Sequence, residues 1–178
     1  MHRTAPSKSR APVRTPVDGL LVAIAFGVLL SSTGAAGADD AAPVRLQSDA
    51  HYILEAVARR MNVTLRADEP LPRIHFESRT PLAQFQEAVA PQWGFRPPLV
   101  ANVYVVARNE IYLSDDAGYY RRLRRTLDES LAHEFAHYLQ VRYFGANLAD
   151  ESCETEAVAM QIAFRDENRP SHAPGEAG

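Results

Sequence analysis

The stretch from Leu131 to Gln140 constrains the fold of this chain more than any other part of its sequence. It reads LAHEFAHYLQ and carries His133, Glu134 and His137 among apolar residues. Residues four positions apart in an α-helix lie on one face, one turn apart, so both imidazoles project from the same side. The apolar neighbours predict a largely buried helix, in which two histidines and a glutamate need a partner that compensates their polarity. The stretch therefore predicts a buried helix with a bound polar group against one face.

The His-Glu-x-x-His spacing indicates what that polar group is. Two imidazoles one helical turn apart can bind a single Zn²⁺ at about 2.0 to 2.1 Å each. Glu134 projects beside the ion, where it can accept a proton from a water molecule at the metal. We therefore predict that His133 and His137 are zinc ligands and that Glu134 is the catalytic base. The alternative is a helix whose histidines face solvent.

A third protein ligand is expected, because catalytic zinc takes three protein ligands and keeps its fourth position open. The next helix offers Glu154 and Glu156, which lie 17 and 19 residues after His137. Each shares a helical face with an apolar residue four positions later, so periodicity alone does not separate the two.

The motif together with the segment Glu154-Thr155-Glu156-Ala157 and Gln161 resembles the zincin superfamily of metallopeptidases, in the branch whose third ligand is a glutamate. It is also similar to small exported bacterial domains of unassigned function, and the similarity covers about residues 110 to 165. The resemblance implies an α+β, zincin-like fold in which the active-site helix and the glutamate-bearing helix pack with a small β-sheet. It also implies hydrolysis of peptide bonds.

The resemblance favours one of the two glutamates. In several zincin families with a Glu-x-Glu-Ala segment the first glutamate is the ligand, which here is Glu154. An acidic or amide residue four positions later supports a ligand histidine in those families, and Val158 occupies that position here. Glu156 therefore stays as the alternative third ligand.

Two further features of zincins apply to this chain as expectations. The strand before the active-site helix is commonly a sheet edge with which an extended peptide pairs through its main chain. Here that strand would be Glu110 to Ser114, and the alternative is an ordinary sheet edge with no ligand. A hydrogen-bond donor usually stabilises the oxyanion, and the sequence does not choose among the candidates Tyr138, Tyr143, His75, Tyr119 and Tyr120.

Periodicity and capping residues predict the elements around the motif. The predicted helices cover about residues 48–61, 80–90, 119–125, 127–144 and 151–165. Short runs rich in β-formers predict strands at 73–77, 103–107 and 110–114, the last two forming a hairpin or two closely joined strands.

Residues 1–38 have the layout of a signal peptide. Four basic residues precede the uncharged run from Gly19 to Leu30, and small residues end at Ala38. A run of this length is shorter than the roughly 20 residues that cross a bilayer as a helix. We expect cleavage near Ala38, no stable membrane span afterwards, and export to the bacterial periplasm or outside the cell. A linker at 39–47, a zincin-like metallopeptidase domain at 48–167 and a disordered tail at 168–178 follow.

Charge and cysteine content limit the partners of this domain. The first 38 residues hold four of the 19 basic and one of the 22 acidic residues, so the remainder carries a net charge of −6. A net negative charge argues against nucleic-acid binding. Cys153 is the single cysteine, so no internal disulfide can form.

Together these observations predict a zinc metallopeptidase that acts on a peptide or protein substrate. The alternative is a catalytically silent zincin-like module that binds a metal or a protein. The sequence leaves the oligomeric state open.

Overall fold

The computed structural model describes residues 42–168 of the chain. The expected signal peptide with its cleavage site near Ala38, the first three residues of the linker and the tail beyond Asn168 lie outside the described residues. Within the described range no helix is long and apolar enough to cross a membrane.

The described residues form an α+β fold of five α-helices and three β-strands, which confirms the α+β class that the sequence predicts. The elements in chain order are α1 (Ala50–Arg60), β1 (Arg73–Phe76), α2 (Leu82–Trp93), β2 (Val103–Val105), β3 (Glu110–Leu113), α3 (Ala117–Leu123), α4 (Leu127–Phe144) and α5 (Glu151–Asn168). Each corresponds to a segment that the sequence predicts, and the bounds differ by a few residues at most.

The sheet has the strand order β1-β3-β2. β2 and β3 pair antiparallel, as the predicted hairpin requires, and β1 runs parallel to β3 with Arg73 opposite Glu110. The prediction that Glu110 to Ser114 is an edge strand is wrong, because β3 is hydrogen-bonded on both sides. After β1 the chain passes through α2 and β2 before it enters β3. β1 pairs with the side of β3 opposite β2. The sheet edges of the described fold are β1 and β2.

Helices cover both faces of the sheet. Side chains alternate along a strand, so Ile111 and Leu113 of β3 enter a core with α1, α4 and α5, whereas Tyr112 faces α2 and packs against Phe85 at 5.3 Å between ring centroids. Tyr104 of β2 faces α4, where its ring meets that of Tyr138 edge-on at 5.8 Å. The centre of α4 is therefore held between the sheet and its neighbouring helices.

Local signals determine both ends of α4. Thr126 caps the N-terminus in a capping box, in which its hydroxyl accepts from the backbone N–H of Glu129 and the Glu129 carboxylate accepts from the backbone N–H of Thr126. Gly145 ends the helix in the left-handed conformation with φ of 64°, which glycine adopts without a Cβ penalty. Helical geometry between these ends then sets the relative positions of His133 and His137.

α2 runs three residues beyond its predicted end near Ala90. Pro91 lies inside the helix, and it cannot donate to the carbonyl of Glu87 one turn earlier. The guanidinium of Arg108 donates to that carbonyl at 3.4 Å instead. The helix continues to Trp93, and Gly94 ends it with φ of 75°.

Candidate metal centre

The two histidines of α4 point toward one spot. The Nε2 atoms of His133 and His137 lie 3.0 Å apart, and their rings meet edge-on at 84°. Both side chains are largely shielded from solvent. The structure thus places the two imidazoles as their helical spacing predicts.

Glu154 of α5 completes a three-residue cluster. Its Oε1 atom lies 3.5 Å from Nε2 of His133, and its Oε2 atom lies 3.3 Å from Nε2 of His137. Small buried residues such as Ala136 on α4 and Ala157 on α5 lie in the same core, where they permit close approach of the two helices. The packing of α4 against α5 therefore brings Glu154 to the histidines.

The spacing of these donors fits a tetrahedral cation. Ligands at about 2.0 to 2.1 Å from an ion at tetrahedral angles lie about 3.3 Å from one another. The observed separations of 3.0, 3.3 and 3.5 Å scatter around that value. Within the described residues, His133, His137 and Glu154 form a group that could hold a metal ion. The Glu154 side chain is 57% exposed, so the cluster is open to solvent on that side.

The carboxylate and the imidazoles of the cluster shift one another's pKa values. Hydrogen bonds from His133 and then His137 hold the pKa of the Glu154 carboxyl far below its ordinary value. Burial pushes the pKa of His137 down, but the bond to Glu154 and the charge on Glu134 outweigh burial and leave this pKa raised. Two imidazoles and a carboxylate thus share one small volume in which a cation would be favoured.

Glu134 lies beside the cluster and outside it. Its side chain is buried, and its carboxylate accepts a hydrogen bond from the backbone N–H of Tyr104 on β2. Burial raises the pKa of Glu134, against the lowering effect of His133 and His137. This is the position that a base acting on a water molecule at the cluster would require.

Glu156 is not brought to the histidines. Its Oε2 atom accepts a hydrogen bond from Nε2 of Gln140 at 2.9 Å, and the Oε1 atom of Gln140 lies 2.9 Å from Nδ1 of His137. Val158, four positions after Glu154, is exposed and has no polar group to offer a histidine. The contact between Gln140 and His137 was not predicted from the sequence, although side chains three positions apart on a helix are neighbours.

The edge of β2 that does not pair with β3 faces the site, and its main-chain groups already have hydrogen-bond partners. The backbone N–H of Tyr104 donates to Glu134, and the carbonyl of Tyr104 accepts from the Gln92 amide at 3.1 Å. The backbone N–H of Val106 donates to the same Gln92 side chain, also at 3.1 Å. A side chain of α2 therefore occupies main-chain groups that an added strand would use.

The structure distinguishes among the five candidate oxyanion donors. Tyr138 donates to the Pro70 carbonyl, the Tyr143 hydroxyl accepts from the backbone of Arg66, and Tyr120 donates to the Ser114 carbonyl. His75 stacks on Tyr112, on the α2 side of the sheet.

Tyr143 keeps its hydroxyl proton to donate, so it remains from that set together with Tyr119, near the start of α3. Burial raises its pKa, the positive charge of Arg125 opposes this, and the negative charge of Glu134 adds to it. The Tyr119 hydroxyl thus lies within electrostatic range of the Glu134 carboxylate.

Comparison of the chain with protein-family models, with curated proteins and with solved structures gave no match.

Proposed function

We propose that this protein is a zinc-dependent metallopeptidase that uses a zincin-like arrangement of α4 and α5. The observation that supports this most is the convergence of His133, His137 and Glu154 on one point, with the buried carboxylate of Glu134 beside it. The donor set supports zinc as the metal, because two imidazoles, one carboxylate and an open position are typical of catalytic zinc sites.

Each residue of the site has a defined role in this proposal. His133, His137 and Glu154 hold the ion, which when bound supplies the Lewis acidity that activates water and polarises a carbonyl. Glu134 takes a proton from the attacking water as the hydroxyl adds to the carbonyl carbon. It passes that proton to the amine nitrogen as the C–N bond breaks. A carboxylate beside the ion can accept the proton in the first transfer and donate it in the second.

The catalytically silent module remains the second candidate, and one observation favours it. The outward main-chain groups of Tyr104 and Val106 are bonded to Glu134 and Gln92 rather than free for an extended peptide. A peptide that pairs with β2 would have to displace the Gln92 amide first.

A comparison of two proteins separates these candidates. The wild type and Glu134→Gln are assayed for bound zinc per chain and for hydrolysis of a diverse peptide library. One zinc in both proteins with cleavage by the wild type alone supports the peptidase. One zinc in both without cleavage supports the silent module. No zinc in the wild type refutes the peptidase and the metal-binding form of the module. His51→Ala serves as the control, because His51 is an exposed histidine on α1 outside the cluster.

A further inference from the structure

The Gln140 amide is a fully buried polar group whose nitrogen and oxygen both have hydrogen-bond partners. Only 1% of the residue is exposed. Its Nε2 atom lies 2.8 Å from the carbonyl oxygen of Cys153 and 2.9 Å from Oε2 of Glu156. Its Oε1 atom lies 2.9 Å from Nδ1 of His137. One side chain thus connects the α4 histidine to two residues of α5.

These partners determine which way the amide faces. A backbone carbonyl and a carboxylate are acceptors, so both must meet the NH₂ group of Gln140. The reversed amide would set its oxygen against two other oxygens and leave one of its two donors without an acceptor. The Gln140 oxygen therefore faces His137, and it can only accept.

The orientation of the amide determines the tautomer of His137. Because the partner of Nδ1 is an acceptor, Nδ1 must carry the proton. In the neutral ring Nε2 then carries a lone pair toward Glu154 and His133. The two acceptors compete for the single proton, but the Glu154 carboxylate is more than half exposed and can turn to water, whereas the Gln140 oxygen is fully buried. A ligand imidazole needs this protonation pattern before it can bind a cation.

We infer that Gln140 is the positioning residue of the metal centre: it holds His137 in the tautomer and orientation that present Nε2 to the ion. The inference rests on the proposed function for the identity of the ion. Gln140 supports His137 alone, because the Nδ1 atom of His133 is buried without a hydrogen-bond partner among the described residues.

The same amide also positions the third ligand. The carbonyl that it binds belongs to Cys153, the residue directly before Glu154 in the chain. A shift of α5 along α4 would break this bond together with the one to Glu156. Gln140 therefore couples the position of Glu154 to the orientation of His137.

Two readouts test the inference in the purified protein. The first is the ¹⁵N spectrum of the imidazoles in metal-free protein. The pH is raised until the ¹⁵N chemical shifts no longer change, so that the rings are neutral. The second is zinc affinity, measured by competition with a chromogenic chelator. We expect His137 in the wild type to be the Nδ1–H tautomer, and Gln140→Met to lose that preference and to bind zinc about 10- to 100-fold more weakly.

Two further variants make the result specific. The double variant Gln140→Glu/Glu156→Gln keeps an acceptor toward Nδ1 of His137 and a bond between positions 140 and 156, but it gives up the bond to the Cys153 carbonyl. It should therefore retain the Nδ1–H tautomer, and the tautomer alone is its readout. Gln86→Met removes an amide whose one hydrogen-bond partner within residues 42–168 is the Pro97 carbonyl, far along the chain from the site. This control should leave both the tautomer and the zinc affinity unchanged.

The possible outcomes separate this inference from the proposed function. A wild-type His137 in the Nε2–H form overturns the inference even where Gln140→Met does not fold. An unchanged tautomer and zinc affinity in Gln140→Met overturn it as well. If the wild type shows the Nδ1–H tautomer but binds no zinc, the effect of Gln140 on His137 stands and the proposed function fails.

Discussion

Replacement of Glu154 by glutamine should remove most of the stability that zinc adds to this protein. Glu154 supplies the only carboxylate of the cluster, and its side chain is more than half exposed. The substitution therefore leaves no buried cavity, and we expect the metal-free variant to unfold within about 1 kcal/mol of the wild type. The main effect should appear only when zinc is present.

The magnitude follows from ligand linkage. At a free zinc concentration 100 times the Kd of the wild type for zinc, the metal stabilises the wild type by about 2.7 kcal/mol. If loss of one of three protein ligands weakens binding about 100-fold, the same zinc concentration stabilises the variant by only about 0.4 kcal/mol. For a domain of this size the difference corresponds to a Tm about 10 °C lower in zinc.

Thermal unfolding with and without zinc measures this difference directly. Glu151→Gln is the matched control, because Glu151 is an exposed carboxylate on the same helix that lies outside the cluster. The control should show the full zinc-dependent rise in Tm. The reasoning is refuted if Glu154→Gln shows that full rise too.

Three further predictions concern other parts of the molecule. Thr126→Ala should lower the free energy of unfolding by about 1 kcal/mol in a urea titration, since it removes the capping box of α4; an unchanged midpoint would contradict this. Burial raises the pKa of the Cys153 thiol, so it should react with a thiol reagent far more slowly in native than in denatured protein; equal rates would count against its burial. Under the proposed function, Tyr119→Phe should lower kcat about 100-fold with zinc retained, and an unaltered kcat would exclude Tyr119 as the oxyanion donor.

The parts of the fold that depend on neighbouring residues could be predicted from the sequence. The bounds of α4 follow from the capping box at Thr126 and the glycine at 145, both of which are local signals. The convergence of His133 and His137 is likewise local, because helical geometry alone relates residues four positions apart. These features required no knowledge of the rest of the chain.

The features that depend on tertiary contacts could not be predicted. The choice between Glu154 and Glu156 follows from how α5 packs on α4, and helical periodicity is similar for both. The central place of β3 depends on parallel pairing with β1, 37 residues earlier in the chain. The continuation of α2 through Pro91 depends on Arg108, which provides a distant donor for the carbonyl that proline leaves unpaired.

X-ray absorption at the zinc edge of the zinc-loaded protein tests the central claim most directly, since it identifies the atoms bound to the metal. The account predicts two imidazole nitrogens at about 2.0 to 2.1 Å and a carboxylate oxygen at about 2.0 to 2.2 Å. Loss of one imidazole from the spectrum of His137→Ala would assign the site to α4. A ligand shell without imidazoles, or one that contains the sulfur of Cys153, would contradict the account.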